Sequence, residues 1–379
     1  MKKIVLLSSV VAVLLSSDIR EDKQRLYEFD VNQSKYDARA LKMDVFEPIV
    51  LSWQKTSDNI NGFDVDSEIY RAGINQSISL GTYYAVKYAN KTRDISYTSI
   101  DIVKNSDELT KNSIVVNLLK IDLILKKQKL LIKNSEINII QKTDSYKDGL
   151  IDISFLNDAI IAKNNLKIAL EDLNLQKNLQ IQELLKLSNK NYKQIELEEL
   201  NEISFDEYIK DDLEYKLSTQ TYDSLDYEKR VRFSRNLPSL NLGVSYSKNV
   251  SSDTEGTNYV VGASVPIGDF SLISQYQSAK VQKLKQKLIL SELKRDKKID
   301  FNTLELELQS LKNKIKISKE NIKTYDELLK DISEKLSLGV STSYDKDIIK
   351  NTFNISKIEK ELLELDKKLV LFKINRWKL

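Results

Sequence analysis

The sequence predicts a mainly α-helical fold with a four-stranded β contribution, built as a duplicated strand–long helical hairpin repeat. Three observations predict it. Helix breakers are few, with 9 Gly and 3 Pro in 379 residues. Two long stretches repeat their apolar residues at alternating spacings of four and three, the pattern of a helical seam. Four short stretches alternate at period two, the pattern of strands with two unlike faces.

The breakers show the duplication. Seven of the nine Gly (Gly62, Gly73, Gly81, Gly243, Gly256, Gly262, Gly268) and all three Pro (Pro48, Pro238, Pro266) fall in the windows 46–82 and 236–269. Gly149 and Gly339 stand alone in helical stretches. Pro48 to Pro238 is 190 residues, and Gly149 to Gly339 is also 190.

The helical pattern repeats at the same offset. Leu304, Leu308, Leu311, Ile315, Ser318, Ile322, Tyr325, Leu329, Ile332 and Leu336 form one heptad seam. Stepping back 190 gives Ile114, Leu118, Ile121, Leu125, Gln128, Ile132, Ser135, Ile139, Lys142 and Tyr146, of which seven are apolar or aromatic. A polar residue, Gln128 or Ser318, occupies the same slot in both.

Taken in order, "MKKIVLLSSVVAVLLSS" (1–17) has the charged, apolar and small-residue layout of a signal peptide. No other apolar run is long enough to span a membrane as a helix. The first repeat, 18–205, reads as a helix at 19–44, strands at 48–54 and 72–81, a long helix at 84–145 and a returning helix at 152–188. The second, 206–379, reads as a helix at 206–235, strands at 238–247 and 258–268, a long helix at 272–336 and a returning helix at 343–375. Each long helix would extend roughly 90 Å at about 1.5 Å per residue. Gly149 and Gly339 supply the permissive backbone at the two hairpin tips. Residues 189–205 form an acidic connector. Pro48 and Pro238 mark the helix-to-strand junctions.

The strands carry the functional signal. Leu240, Leu242, Val244 and Tyr246 share one face of the third strand; Ser239, Asn241, Gly243, Ser245 and Ser247 share the other. The fourth sets Tyr259, Val261, Ala263, Val265 and Ile267 against Val260, Gly262, Ser264 and Pro266. The first aligns Ile49, Leu51 and Trp53. The second aligns Ile74, Ile78 and Leu80, with Gln76 interrupting the apolar face. Strands of about 9–11 residues cross a bilayer when tilted, which makes Leu240, Leu242, Val244, Tyr246, Val261 and Val265 candidate lipid-facing residues. A small sheet packed on the helices in water gives the same pattern. Four strands cannot close a membrane barrel, whose minimum is about eight, and lipid does not tolerate an open sheet edge. Strands that cross a membrane here must be pooled from several copies.

Composition narrows the chemistry. The chain contains no His and no Cys, so imidazole and thiolate metal sites, Cys nucleophiles and His-based triads are excluded. Its 30% charged residues balance to a net charge of +3, and no basic block interleaves with aromatics as a nucleic-acid groove requires. Stretches such as "ELLELDKKL" (361–369) read as solvated ion pairs on a helix rather than paired catalytic carboxylates. The expectation is a protein that is not an enzyme and holds no cofactor or metal.

Four pieces, in order and spacing, are similar to one known family: "LPSLNLGVSYS" (237–247), "YVVGASVPIGDFSLISQYQSAK" (259–280), "YKDGLIDISFLNDAIIAKNNLKIA" (146–169) and "LSLGVSTSYDKDIIKNTFNISKIE" (336–359). The chain resembles the outer-membrane efflux proteins of the TolC type across essentially all of its length after the signal peptide. The resemblance implies a homotrimer, with a 12-stranded outer-membrane β-barrel continued by a periplasmic α-helical barrel. It also implies a passive exit duct for small molecules, metal ions or protein in a tripartite efflux or type I secretion system. A periplasmic adaptor would dock at the hairpin tips, and an inner-membrane transporter would drive export.

In this family an Asp ring six residues after the second tip Gly narrows the entrance. That position is Asp345. The acidic position one turn later is Ile348, with Asp347 beside it. The latch positions three before and two after the Gly are Leu336 and Ser341, and the first-hairpin counterpart of Asp345 is Phe155, so any latch differs. Asp345 is equally explained as a first-turn carboxylate favoured by the helix dipole. The alternative to a duct is a soluble periplasmic adaptor or coiled-coil scaffold.

Overall fold

The computed structural model describes residues 19–60, 63–234, 237–265 and 270–378. The expected signal peptide, Gly62, Pro266, Ile267 and Gly268 lie outside the described residues. The elements follow the order α1 (Glu21–Met43), β1 (Val50–Ile60), β2 (Phe63–Ile78), α2 (Leu80–Lys147), α3 (Ile153–Leu185), α4 (Phe205–Asp211), α5 (Leu213–Ser234), β3 (Ser239–Asn249), β4 (Thr254–Ser264), α6 (Phe270–Ser337) and α7 (Ser343–Ile374). The offset of 190 holds at both ends of the long helices, since α2 and α6 are each 68 residues and begin at Leu80 and Phe270. None of the described helices is long and apolar enough to cross a membrane.

Contacts divide the chain into two compact units. One holds residues through Leu26, Asn105–Ser204 and Asp300 onward; the other holds Tyr27–Lys104 and Phe205–Ile299.

The first unit contains both hairpin tips, with α3, α7 and the parts of α2 and α6 from Asn105 and Asp300 onward. The turns after α2 and α6 share one geometry: Gly149 and Gly339 each have φ 71°. Gly149 N donates to Tyr146 O and Leu150 N to Ser145 O; Gly339 N donates to Leu336 O and Val340 N to Lys335 O. This pair of bonds, with a left-handed residue between, satisfies carbonyls that a helix end leaves open. The returning helices are capped 190 residues apart as well, α3 by Asp152 and α7 by Thr342.

The heptad seams are the covered faces of their helices. Leu118 and Ile121 are buried on α2, and Leu308 and Leu311 on α6. The polar slots Gln128 and Ser318 are buried too, and Gln128 Nε2 donates to Leu166 O on α3 at 2.8 Å. On another side α2 meets α7 through Lys120–Asp366, Lys127–Glu359 and Asn134–Asn351. The acidic connector is more structured than its composition suggested. It makes a short 3-10 turn at Tyr192–Gln194, and Tyr192 and Ile195 join Val115, Leu118 and Leu184 in the core.

In the second unit, four antiparallel strands form one sheet in the order β1-β2-β3-β4. The hairpins are longer and their loops shorter than expected. Residues 55–60 and 63–68, read as loop, are paired strand from Lys55↔Glu68 to Ile60↔Phe63. The apolar phase of 70–78 does not carry into this stretch, where Asp66 and Glu68 fall on the face of Tyr70, with adjoining Ile69 on the other, yet the cross-strand ladder continues. At the other hairpin only Val250–Asp253 separate β3 from β4, and Asp253 takes the one positive φ among described non-glycine residues. Correspondingly, β4 covers 254–264 rather than 258–268, which puts Val265 just past its end.

Two further expectations change. Leu80 and Gly81 open α2 instead of ending β2, because Ser79 Oγ accepts from Gly81 N at 3.1 Å and turns the chain into the helix. The expected helix over 206–235 is two, broken at fully buried Asp212. Asp212 Oδ1 accepts from Tyr215 N at 2.8 Å, capping α5, while Lys297 Nζ sits 3.0 Å from its Oδ2.

Candidate functional site: the sheet and the hairpin tips

Register places most of the apolar residues of the four strands on one face, with Val50, Ile69 and Val260 on the other. Leu51 pairs with Ala72, Ala72 with Tyr246 and Tyr246 with Thr257. Ile74 pairs with Val244 and Val244 with Tyr259; Gln76 with Leu242 and Leu242 with Val261; Ile78 with Leu240 and Leu240 with Ala263. All six candidate lipid-facing residues, Leu240, Leu242, Val244, Tyr246, Val261 and Val265, are exposed, Leu240 at 58% and Val261 at 82%. The opposite face of β3, the Ser, Asn and Gly set, is the half-buried one. A sheet in water buries its apolar face against a core; this one presents it outward.

The apolar band has a defined edge. Trp53, Tyr70, Lys248 and Glu255 form one cross-strand row. Trp53 Nε1 and the Tyr70 hydroxyl both donate to Glu68 Oε1 at 2.8 Å, and the Tyr246 hydroxyl donates to Glu255 Oε2 at 2.6 Å. Aromatic rings with a polar handle are the residues that sit where lipid meets water. From Tyr70 to Ile78 the band extends about 27 Å along the strand, or about 21 Å vertically at a tilt near 40°.

At the other end the band meets the helix-to-strand junction. Gln76, which interrupts the apolar face, supplies the local hydrogen bonds: its Nε2 donates to Val45 O at 2.9 Å and its Oε1 accepts from Glu47 N at 3.2 Å. Pro48 follows, just before β1, and Pro238 stands in the equivalent place just before β3. Close strand approach uses a glycine, since a Cβ on Gly73 would come within 2.9 Å of Ser245 Cβ.

In the hairpin unit, the tips expose Leu150, Leu338 and Val340. Asp345 is the third residue of α7 and is engaged in its cap. Thr342 Oγ1 accepts from Asp345 N at 3.2 Å, while the Thr342 hydroxyl and Thr342 N donate to Asp345 Oδ2 at 2.6 and 3.1 Å. These bonds, the hydroxyl first, hold its carboxyl below the ordinary aspartate value. Asp347 is exposed one turn into the same helix. Sequence reasoning passes over Arg71, Tyr70 and Glu68 because it begins the second strand at Ala72; the apolar alternation changes phase between Ile69 and Tyr70, which lie on opposite faces, so period two alone does not extend the strand.

A sheet with its apolar side outward and both edges unpaired among the described residues, and two long helical hairpins in the same chain, define an outer-membrane channel fold. Solved structures agree. The chain is similar to the outer membrane protein VceC of Vibrio cholerae with a TM-score of 0.75 at 10% identity, covering 94% of this chain and 93% of that one. For the CmeC outer membrane channel of Campylobacter jejuni the values are 0.72, 12%, 94% and 83%. For the open state of the MtrE outer membrane channel of Neisseria gonorrhoeae they are 0.60, 11%, 93% and 84%. No family model and no curated protein matches the sequence. The fold is that of the TolC-type outer-membrane channels.

Proposed function

We propose that three copies of this chain pool their strands into one 12-stranded barrel in the outer membrane and their hairpins into a periplasmic α-helical barrel. The assembly is a passive exit duct for solutes leaving the periplasmic side. The exposed apolar face, on strands of bilayer-crossing length, carries this reading. In water that face would cost about 25 cal/mol for each Å² left uncovered; in lipid it is the lowest-energy surface. The edges β1 and β4, unpaired among the described residues, supply the contacts between copies that closure demands. A soluble adaptor or scaffold would leave the same face in water.

The exposed apolar tips around Gly149 and Gly339 are the docking points for a periplasmic adaptor, through which an inner-membrane transporter delivers cargo. Asp345 and Asp347 are candidates for the charge at the entrance. Gating occurs by movement of the hairpins and involves no covalent chemistry. The test is to fractionate cells expressing the full chain and to measure the native mass of the detergent-extracted protein. A trimer in the outer membrane is expected; a monomer recovered from the soluble periplasm refutes the duct.

A further inference from the structure

Arg71 stands out on the polar face of the sheet. Its row is Ser52, Arg71, Ser247 and Gly256, next to the row of Trp53 and Tyr70 that ends the apolar band. By strand parity it points away from that band. The rest of this face is Ser, Asn, Gly, Gln and a few aliphatic residues. Across the rows of the apolar band Arg71 is the only charged residue on this face, and it is exposed with no ion-pair partner among the described residues. Ser52, Gly73, Asn75 and Ser245 line the shallow hollow it borders, and Glu47 lies at the hollow's far end. The next charged position of the same parity, Asp58, is six residues farther along β1, about 20 Å away. Lys55, Glu68, Lys248 and Glu255 share the opposite face with Trp53 and Tyr70.

We infer that Arg71 forms a ring of three guanidinium groups inside the outer half of the barrel, a selectivity ring that makes anionic solutes the favoured cargo at the exit. This rests on the trimeric duct proposed above. The magnitudes support it. Twelve tilted strands give a circumference of about 75 Å and a backbone radius of about 12 Å. An extended arginine carries its charge about half of that distance inward. The remainder is shorter than the Debye length of about 8 Å at physiological salt, so the field of three cations overlaps on the axis. Small uncharged neighbours leave the guanidinium uncompensated, and an arginine stays protonated at every working pH.

The test uses the purified full chain in planar bilayers, reading reversal potential in a KCl gradient for the wild type, R71K, R71Q and R71E. The chloride-to-potassium permeability ratio should fall about threefold in R71Q, fall further in R71E and persist in R71K, as charge near a pore axis dictates. In the wild type and R71K the ratio should rise as salt is lowered and screening weakens. Channels whose ratio is unchanged in R71Q and R71E, or flat with salt in the wild type, overturn the ring and leave the duct standing. Failure of every form to conduct overturns both.

Discussion

Gly149 and Gly339 lie 190 residues apart and hold the same left-handed backbone, φ 71° in each. An added Cβ would meet nothing within 4 Å at either position, so the glycines are required by backbone geometry and not by crowding. Gly149→Ala and Gly339→Ala should each cost about 1 kcal/mol, the price of a left-handed L-residue, with Asn milder than Ala. Denaturant unfolding would measure it. Two alanine variants as stable as the wild type would show that the tips relax to another turn.

The two faces of the sheet should respond oppositely to one substitution. Val261 is on the apolar face, whereas Asn258, also exposed, is on the polar one. Val261→Lys should lower outer-membrane assembly, at about 2–4 kcal/mol per chain for a cation near mid-bilayer, while Asn258→Lys should assemble normally. The amount of trimer in the outer-membrane fraction reads both. Equal yields would mean that lipid does not contact Val261.

Much of this architecture was legible because it repeats. The pairs Pro48/Pro238 and Gly149/Gly339, and the polar slot Gln128/Ser318, report the duplication without any structure. The apolar parity of Leu240, Leu242, Val244 and Tyr246 separates the two faces for the same reason. What was hidden breaks those signals. The outer end of the first hairpin, from Lys55 to Glu68, does not keep the apolar phase of the inner strand and reads as loop, although its ladder continues. Asp212 ends one helix and caps the next within a run that is helical by pattern. The connector looked acidic and solvated, yet its few apolar residues, Tyr192 and Ile195, are the ones that bury.

Tyr192 shows what fixes that connector. Its hydroxyl donates to Asp122 Oδ2 at 2.7 Å, and Lys177 reaches Asp122 Oδ1 at 2.7 Å. Burial pushes the Asp122 carboxyl up, but the bonds from Lys177 and Tyr192 more than offset it, and the net shift is downward. Tyr192→Phe should cost about 1–2 kcal/mol by removing one of the two donors. A carboxyl lowered by folding stabilises above its unfolded value and loses that contribution as pH falls through the folded one. Asp122→Asn should therefore flatten the acid side of the stability profile. An unaltered acid limb would exclude Asp122 from it.

Asp345 separates two roles that one residue can play. As part of the α7 cap it shares bonds with Thr342, and Thr342→Ala should cost about 1 kcal/mol while leaving the carboxylate in place. As part of an entrance ring its charge should set cation preference there, and Asp345→Asn removes the charge while keeping an acceptor for the cap. Single-channel recordings of both variants divide the roles. A ring predicts weaker cation preference in Asp345→Asn alone; a cap predicts lower stability in Thr342→Ala with ion preference unchanged in both. Folding lowers the carboxyl's pKa, so its contribution is present at neutral pH and disappears only as acid titrates it below the ordinary aspartate range. A change in gating well above that range would have to come from another group.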